Sequence, residues 1–89
     1  MGKEEESPLE FPCEFPLSVI GYNRPEFAVM VMDIVRKHVP SLEATDYSLR
    51  LSRDAHYLSV KVNFTAESRQ QLDNLYRELT LQEDILWVL

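Results

Sequence analysis

The sequence predicts one α+β domain whose strands and helices follow the order βαββαβ. Three observations carry this prediction: two stretches with the 3.6-residue period of a helix, two adjacent stretches that alternate like a hairpin, and one alternating stretch towards each end. The 89 residues suit a single domain with one modest core.

The first strand is predicted near residues 14–20, because Leu17 and Val19 alternate with Ser18 as in a half-buried strand. Phe11-Pro12 before this strand and Phe15-Pro16 at its start hold the backbone extended, because a residue that precedes proline avoids the helical region. A loop from Gly21 to Arg24 ends the strand.

The first helix is predicted over residues 25–39, between two prolines. Pro25 suits its first turn because the missing N–H needs no partner there, and Pro40 ends it. Val29 and Met30 fall among polar residues and form an apolar spot on the predicted solvent side. The opposite arc gathers the core candidates Phe27, Ala28, Val31, Ile34, Val35 and His38.

A hairpin is predicted in the middle of the chain, with strands at 45–53 and 56–64 and a turn at Asp54-Ala55. The first of these strands alternates Tyr47, Leu49 and Leu51 with Ser48, Arg50 and Ser52. The second alternates more cleanly, with Leu58, Val60, Val62 and Phe64 on one face.

The second helix is predicted over residues 66–79, with Thr65 as its N-cap and an apolar stripe formed by Leu72, Leu75, Tyr76 and Leu79. A last strand is predicted at 83–89. Its alternation places Ile85, Trp87 and Leu89 under the helices. Leu86 and Val88 then point to the open face of the sheet.

Two βαβ units in one chain indicate the ferredoxin-like sandwich, a four-stranded antiparallel sheet with both helices on one face. Right-handed crossovers give the strand order 4-1-3-2. The domain should occupy residues 11–89. Residues 1–10 are polar, acidic and without periodicity, so we expect a disordered leader.

Charge and cysteine usage narrow the function classes. The net charge is −6, and residues 1–14 contribute −4 from one lysine and five glutamates, so nucleic acid is not expected as a partner. Cys13 is the only cysteine and cannot form an internal disulfide. No targeting motif or apolar stretch long enough to cross a bilayer is present, so we expect a cytoplasmic protein that makes no membrane contact.

The sequence predicts neither a catalytic centre nor a metal site, and no cofactor is expected. Metal-ligand spacings such as Cys-x-x-Cys are missing, and so is a nucleophile elbow. His38 is interpreted as a structural residue near a helix C-terminus, where a cation is favoured, and His56 as solvated. Tyr57 is the only aromatic residue that we place on the open sheet face, which makes a poor platform for RNA.

A series of short motifs runs along roughly residues 9–89. They are Phe11-Pro12, Phe15, Val19-Ile20-Gly21, Pro25-Glu26, Arg36-Lys37-His38 with Pro40, Ser52, Tyr57, Ser59-Val60, Leu75-Tyr76, Leu79 and Val88-Leu89. In this order and spacing the chain resembles the YbeD-like family of small bacterial proteins of unknown function. One departure is Ala55, where that family usually has glycine in the hairpin turn. The resemblance implies a fold similar to the ACT regulatory domains, which often bind amino acids.

Asn23-Arg24-Pro25 is similar to the Asp-Arg-Pro-Gly turn of ACT domains, so Gly21, Asn23 and Arg24 are the ligand-binding candidates. In the ACT pattern the glycine lets a ligand approach the backbone. Here Glu26 replaces it and adds a negative charge at a helix N-terminus, which disfavours an anionic ligand.

Three functions follow from these patterns. The first is a non-enzymatic regulatory or adaptor module that binds a protein partner or forms a homodimer, through the interface candidates Val29, Met30, Leu86 and Val88. The second is an ACT-like sensor of a small molecule such as an amino acid. The third is a small phosphate-directed enzyme that would hold phosphate with Arg24.

Overall fold

The computed structural model describes residues 10–42 and 47–89, and its elements follow the predicted order. Most of the predicted leader and the first two residues of the predicted second strand lie outside the described residues. The elements are β1 (Cys13–Tyr22), α1 (Phe27–His38), β2 (Tyr47–Leu51), β3 (Tyr57–Ala66), α2 (Arg69–Thr80) and β4 (Ile85–Val88).

The strands form one antiparallel sheet in the order β2-β3-β1-β4, which confirms the predicted arrangement. The two central strands pair along their full length, from Cys13 opposite Ala66 to Tyr22 opposite Tyr57. On the helix side of the two central strands, Leu17, Val19, Val60 and Val62 are fully buried, whereas Cys13 and Phe15 at the start of β1 are half-buried. These β1 and β3 residues form the floor of the core.

Each helix closes this core with the stripe that the sequence indicates, in slightly different bounds. From α2 come Leu72, Leu75 and Leu79, and from α1 come Phe27, Val31, Met32, Ile34 and Val35. Val29 is exposed as predicted, but Met30 is half-buried and packs against the core. The prediction of an exposed Met30 was wrong because this side of α1 meets the segment after α2, where Met30 shares a groove with Leu81 and Gln82.

The start of α2 differs from its prediction by one helical turn. Strand β3 runs on through Thr65 and Ala66, so Thr65 is not the N-cap. Ser68 takes that role: its Oγ accepts a hydrogen bond from the backbone N–H of Gln71 at 3.1 Å. The alternation that buries Phe64 continues to Ala66, and this keeps the segment in the sheet.

The faces of β4 differ from the prediction beyond Ile85. Val19 pairs with Val88 and Ile20 with Trp87, but Gly21 pairs with Ile85, so β4 carries an extra residue at this point. Such a bulge reverses the alternation of the residues that follow it. Val88 therefore packs against the core with Ile85, while Trp87 and Leu89 are exposed. The predictions that Trp87 and Leu89 are buried and that Val88 is on the open face were wrong.

Candidate functional site

The edge strand β2 exposes apolar side chains on the helix side of the sheet. Tyr47, Leu49 and Leu51 lie opposite the buried Val62, Val60 and Leu58 of β3, so they face the helix layer. They are nevertheless 39%, 50% and 53% exposed, because the helices contact the other three strands and stop short of this edge. We call these three residues the β2 row.

The backbone of the β2 row also points outwards. Ser52 donates its N–H to the carbonyl of Tyr57 at 2.9 Å, which makes this pair a hydrogen-bonded one. Since hydrogen-bonded and non-hydrogen-bonded pairs alternate in an antiparallel ladder, Arg50 and Ser48 also bond inwards to β3. The N–H and C=O groups of the β2 row are therefore directed to the open edge of the sheet.

A groove adjoins the β2 row where α1 begins. Its walls come from the segment before α1, from the first turn of α1 and from two strands, and its lining includes Pro25, Ala28, Leu49, Leu51 and Leu58. Apolar surface thus continues from the open edge of the sheet to the loop between β1 and α1, which contains the ligand-binding candidates Asn23 and Arg24.

The loop between β1 and α1 uses its polar groups within the chain. Asn23 donates its side-chain amide to the carbonyl of Ala55 at 2.9 Å, and its backbone N–H to the carbonyl of His56 at the same distance. Arg24 donates from Nε to Asp84 at 3.1 Å and lies over the ring of Tyr22. Both candidate ligand-binding side chains thus connect this loop to neighbouring segments.

Gly21 has a packing role. A Cβ atom built on Gly21 would lie 2.2 Å from the carbonyl oxygen of Asp84 and 2.3 Å from the ring of Phe27. Both distances are far below contact, so this glycine lets β4 and α1 approach β1 closely. The space above its backbone is filled by the protein's own atoms.

The hairpin turn is held by side-chain hydrogen bonds and contains a residue with positive φ. Ser52 donates its hydroxyl to Asp54 at 2.8 Å, and the backbone N–H of His56 donates to the same carboxylate. These bonds, with that from Ser52 first, lower the pKa of Asp54. Ala55 has φ of 62°, the left-handed region in which glycine is favoured.

A polar cluster joins the ends of the two helices. Glu78 accepts a hydrogen bond from Lys37 at 2.5 Å and bonds Nε2 of His38 at 2.7 Å. The bond from Lys37, followed by that from His38, lowers the pKa of Glu78. Gln71 adds a bond to the carbonyl of His38 at 2.8 Å. These bonds give His38 a structural role between the helices.

The open face of the sheet carries more aromatic side chains than the sequence predicts. Tyr22 and Tyr57 stack with ring centroids 6.0 Å apart, and Trp87 is 56% exposed opposite Ile20. Tyr22 was missed because β1 runs two residues past its predicted end, and Trp87 because of the bulge in β4. If the first strand had been predicted to run to Tyr22, Tyr22 and Tyr57 would have been placed opposite each other.

The four interface candidates from the sequence lie on two elements, Val29 and Met30 on α1 and Leu86 and Val88 on β4, and they do not form one exposed patch. Val29 is on the outer side of α1, and the half-buried Leu86 lies at the bulge of β4. Met30 and Val88 belong to the margin of the core. Cys13 is a half-buried free thiol at the start of β1.

Within residues 10–42 and 47–89, no group of three or more histidine, cysteine or acidic side chains could hold a metal ion. In the same part of the chain, no helix has the length and apolar character needed to cross a bilayer.

This arrangement of a βαββαβ chain with sheet order 2-3-1-4 defines an ACT-like fold. A solution structure of protein HP0495 from Helicobacter pylori is similar over 100% of this chain and 94% of that one, with TM-score 0.72 and 13% identity. The ACT domain of GTP pyrophosphokinase from Chlorobium tepidum is similar over 85% of this chain and 84% of that one, with TM-score 0.64 and 12% identity. At these identities the likeness shows the fold alone.

The chain belongs to the family described as protein of unknown function DUF493, whose model matches residues 6–89. A UPF0250 protein of Chromobacterium violaceum is 42% identical over 80 residues, which cover 90% of each chain. A UPF0250 protein of Neisseria gonorrhoeae is 42% identical over 87 residues, covering 98% of this chain and 96% of that protein. These relatives confirm the resemblance to the YbeD-like proteins, and they name no activity.

Proposed function

We propose that this protein is a non-enzymatic regulatory or adaptor module that works by association with protein, and that its β2 row pairs with the β2 row of a second copy. The observation that carries the proposal is the exposure of Tyr47, Leu49 and Leu51 on an edge whose backbone groups also point outwards. An apolar, unprotected edge strand is a template for another strand. Fold analogy with a domain attached to an enzyme favours a regulatory role.

One antiparallel register satisfies the whole β2 row. If Leu49 lies opposite its own copy, Tyr47 lies opposite Leu51 of that copy, and all three outward-facing residues form hydrogen-bonded pairs. On the other face, Arg50 then lies opposite Ser48, so no like charges meet across the interface. A register centred on Arg50 would oppose two arginines. The favoured pairing gives a closed two-fold dimer with one continuous eight-stranded sheet.

Light scattering after size-exclusion chromatography tests this association. Wild-type protein should be dimeric at high concentration, and Leu49→Lys with Leu51→Lys should be monomeric because charges would enter the apolar interface. Val29→Lys with Leu81→Lys is the matched control, since both residues are exposed and lie away from β2. A monomeric wild type, or an equal effect of both double variants, would contradict the proposal.

A second candidate, an ACT-like sensor of a small molecule, has one observation in its favour. A groove of about 620 Å³ adjoins the predicted ligand loop and is lined in part by Arg24, Pro25 and Phe27. A thermal-shift screen against amino acids tests it. Stabilisation that is lost in Arg24→Ala would support it, and stabilisation unaffected by both Arg24→Ala and Asn23→Ala would place the ligand elsewhere.

The third possibility, a phosphate-directed enzyme, has less support. The Nε of Arg24 is already bonded to Asp84, and this carboxylate would repel a phosphate at the same position. Turnover of an acyl phosphate that is lost in Arg24→Ala would be the evidence needed for it.

A further inference from the structure

The open face of the sheet is divided into an apolar half and a basic half. One row crosses all four strands, from Trp87 through Ile20 and Ser59 to Arg50. With strands about 4.8 Å apart, this row is about 14 Å long. Trp87 and Ile20 provide its apolar end on β4 and β1, and Arg50 provides its basic end on β2.

The adjacent residues extend both halves. Leu89, which follows β4, is exposed, and its backbone forms hydrogen bonds with that of Ser18 on β1. Tyr22 stacks on Tyr57 at the end of the two central strands. Lys61 lies opposite both Ser18 and Ser48 and joins Arg50 on the basic half. The open face therefore presents a broad apolar stripe beside two cations.

Neither cation is neutralised by the described part of the chain. Lys61 and Arg50 are exposed and form no ion pair with residues 10–42 or 47–89. The carboxylate that these strands place on the same face, Glu14, is four residues from the level of Lys61, or about 13 Å away. This positive patch stands out on a chain with a net charge of −6.

We propose that the open face binds an amphipathic segment of a partner protein that carries apolar side chains along one side and acidic residues along its flank. The apolar side would cover Trp87 and Ile20, and the carboxylates would reach Arg50 and Lys61. This combination of apolar surface and positive charge favours a protein segment over a polyanion. The site is separate from the β2 row, whose side chains point to the opposite face of the sheet.

A single-stranded nucleic acid fits this face less well. Bases need free aromatic faces and a continuous track of cations. Among the described residues the two tyrosine rings stack on each other, so Trp87 is the remaining exposed ring on this face. Arg50 and Lys61 lie on the opposite half of the face and form no continuous track beside that ring. The overall negative charge would further repel a phosphate backbone.

The binding test uses a synthetic amphipathic helix of about four turns with leucines on one side and glutamates on the flank. A matched peptide carries lysine in place of each glutamate, and an oligouridylate represents single-stranded RNA. Trp87 is the only tryptophan, so its fluorescence and its single indole N–H resonance report directly on this face. We expect the acidic peptide to shift both signals and to bind at least about tenfold more tightly than the basic peptide.

Charge reversal locates the site. Arg50→Glu with Lys61→Glu should weaken binding of the acidic peptide at least about tenfold. Arg36→Glu with Arg77→Glu makes the same change in net charge on the helices and should alter binding by no more than about twofold. Circular dichroism and urea unfolding establish that both double variants remain folded, and Arg50→Gln with Lys61→Gln serves as a milder pair.

Three results would overturn the proposal. They are an acidic peptide that leaves the Trp87 signals unchanged, equal binding of the acidic and basic peptides, and equal weakening by the two charge-reversal variants. Binding of the oligouridylate in preference to the acidic peptide would likewise overturn it and would assign the face to nucleic acid.

Discussion

At the scale of single residues, Gly21 allows α1 and the start of β4 to pack closely against β1. Alanine there would place a methyl group within 2.3 Å of both the Asp84 carbonyl and the Phe27 ring, neither of which is a flexible chain end. We expect Gly21→Ala to lower the free energy of unfolding by about 2 kcal/mol or more, as measured by urea denaturation. Ser59→Ala, on the open face of β3, is the control and should change it by less than about 1 kcal/mol.

Ala55 supports the opposite prediction. Its φ of 62° lies in the left-handed region, which glycine adopts more readily than alanine. Ala55→Gly should therefore raise the free energy of unfolding by about 0.5–1 kcal/mol, because relief of backbone strain exceeds the added entropy of the unfolded chain. The same substitution in α1, Ala28→Gly, should lower it. Destabilisation by Ala55→Gly would show that the Ser52–Asp54 hydrogen bonds hold the turn without strain.

At the scale of elements, Glu78 connects α1 and α2, and its contribution should depend on pH. Its pKa is lowered from 4.5 in the folded protein, chiefly by Lys37 and then by His38. The stabilisation is therefore fully present above pH 4.5 and is lost as the pH falls through the lowered folded pKa. Glu78→Gln should destabilise the protein more at pH 7 than at pH 3 in urea unfolding. Glu83→Gln, after α2, is the control, and an equal effect of Glu78→Gln at both pH values would contradict this account.

Because of the bulge in β4, a charge at Val88 should destabilise the protein more than a charge at Trp87. A regular strand would predict the opposite order. Val88→Lys should lower the free energy of unfolding by about 2 kcal/mol, because the charge enters the margin of the core. Trp87→Lys should cost less than about 1 kcal/mol, because the indole lies on the open face. Thermal unfolding of the two variants compares them directly. A greater loss of stability in Trp87→Lys would contradict the bulge and would support the regular alternation predicted from the sequence.

The same elements show what can be predicted from sequence. The periods of 2 and 3.6 residues identify all six elements and their order, because the buried side chains of β1, β3 and both helices follow those periods. They cannot locate a bulge, which adds a residue without any change in composition, so the faces after Ile85 were assigned wrongly. They also cannot choose between Thr65 and Ser68 as a cap, since both are good N-cap residues.

At the scale of the whole molecule, the candidate site exists because no helix covers the β2 row. A local stretch of sequence does not determine whether a helix covers a strand. Alternation places Tyr47, Leu49 and Leu51 on one face of β2, and this is correct. Whether a helix covers that face depends on how two helices sit across four strands, and here they leave the outer edge uncovered. The loop candidates Asn23 and Arg24 were likewise visible as a motif, but their partners Ala55 and Asp84 are more than 30 residues away in sequence.

Cysteine cross-linking tests the pairing of two β2 rows most directly. In a Cys13→Ser background, Leu49→Cys should form a disulfide-linked dimer on mild oxidation, because hydrogen-bonded partners have Cα atoms about 5.5 Å apart, within disulfide reach. Leu51→Cys alone should not cross-link, because its two copies would be about 13 Å apart. Mixed with Tyr47→Cys, however, it should form the disulfide. Rapid cross-linking of all three variants alone, or of none in any combination, would contradict the proposed register.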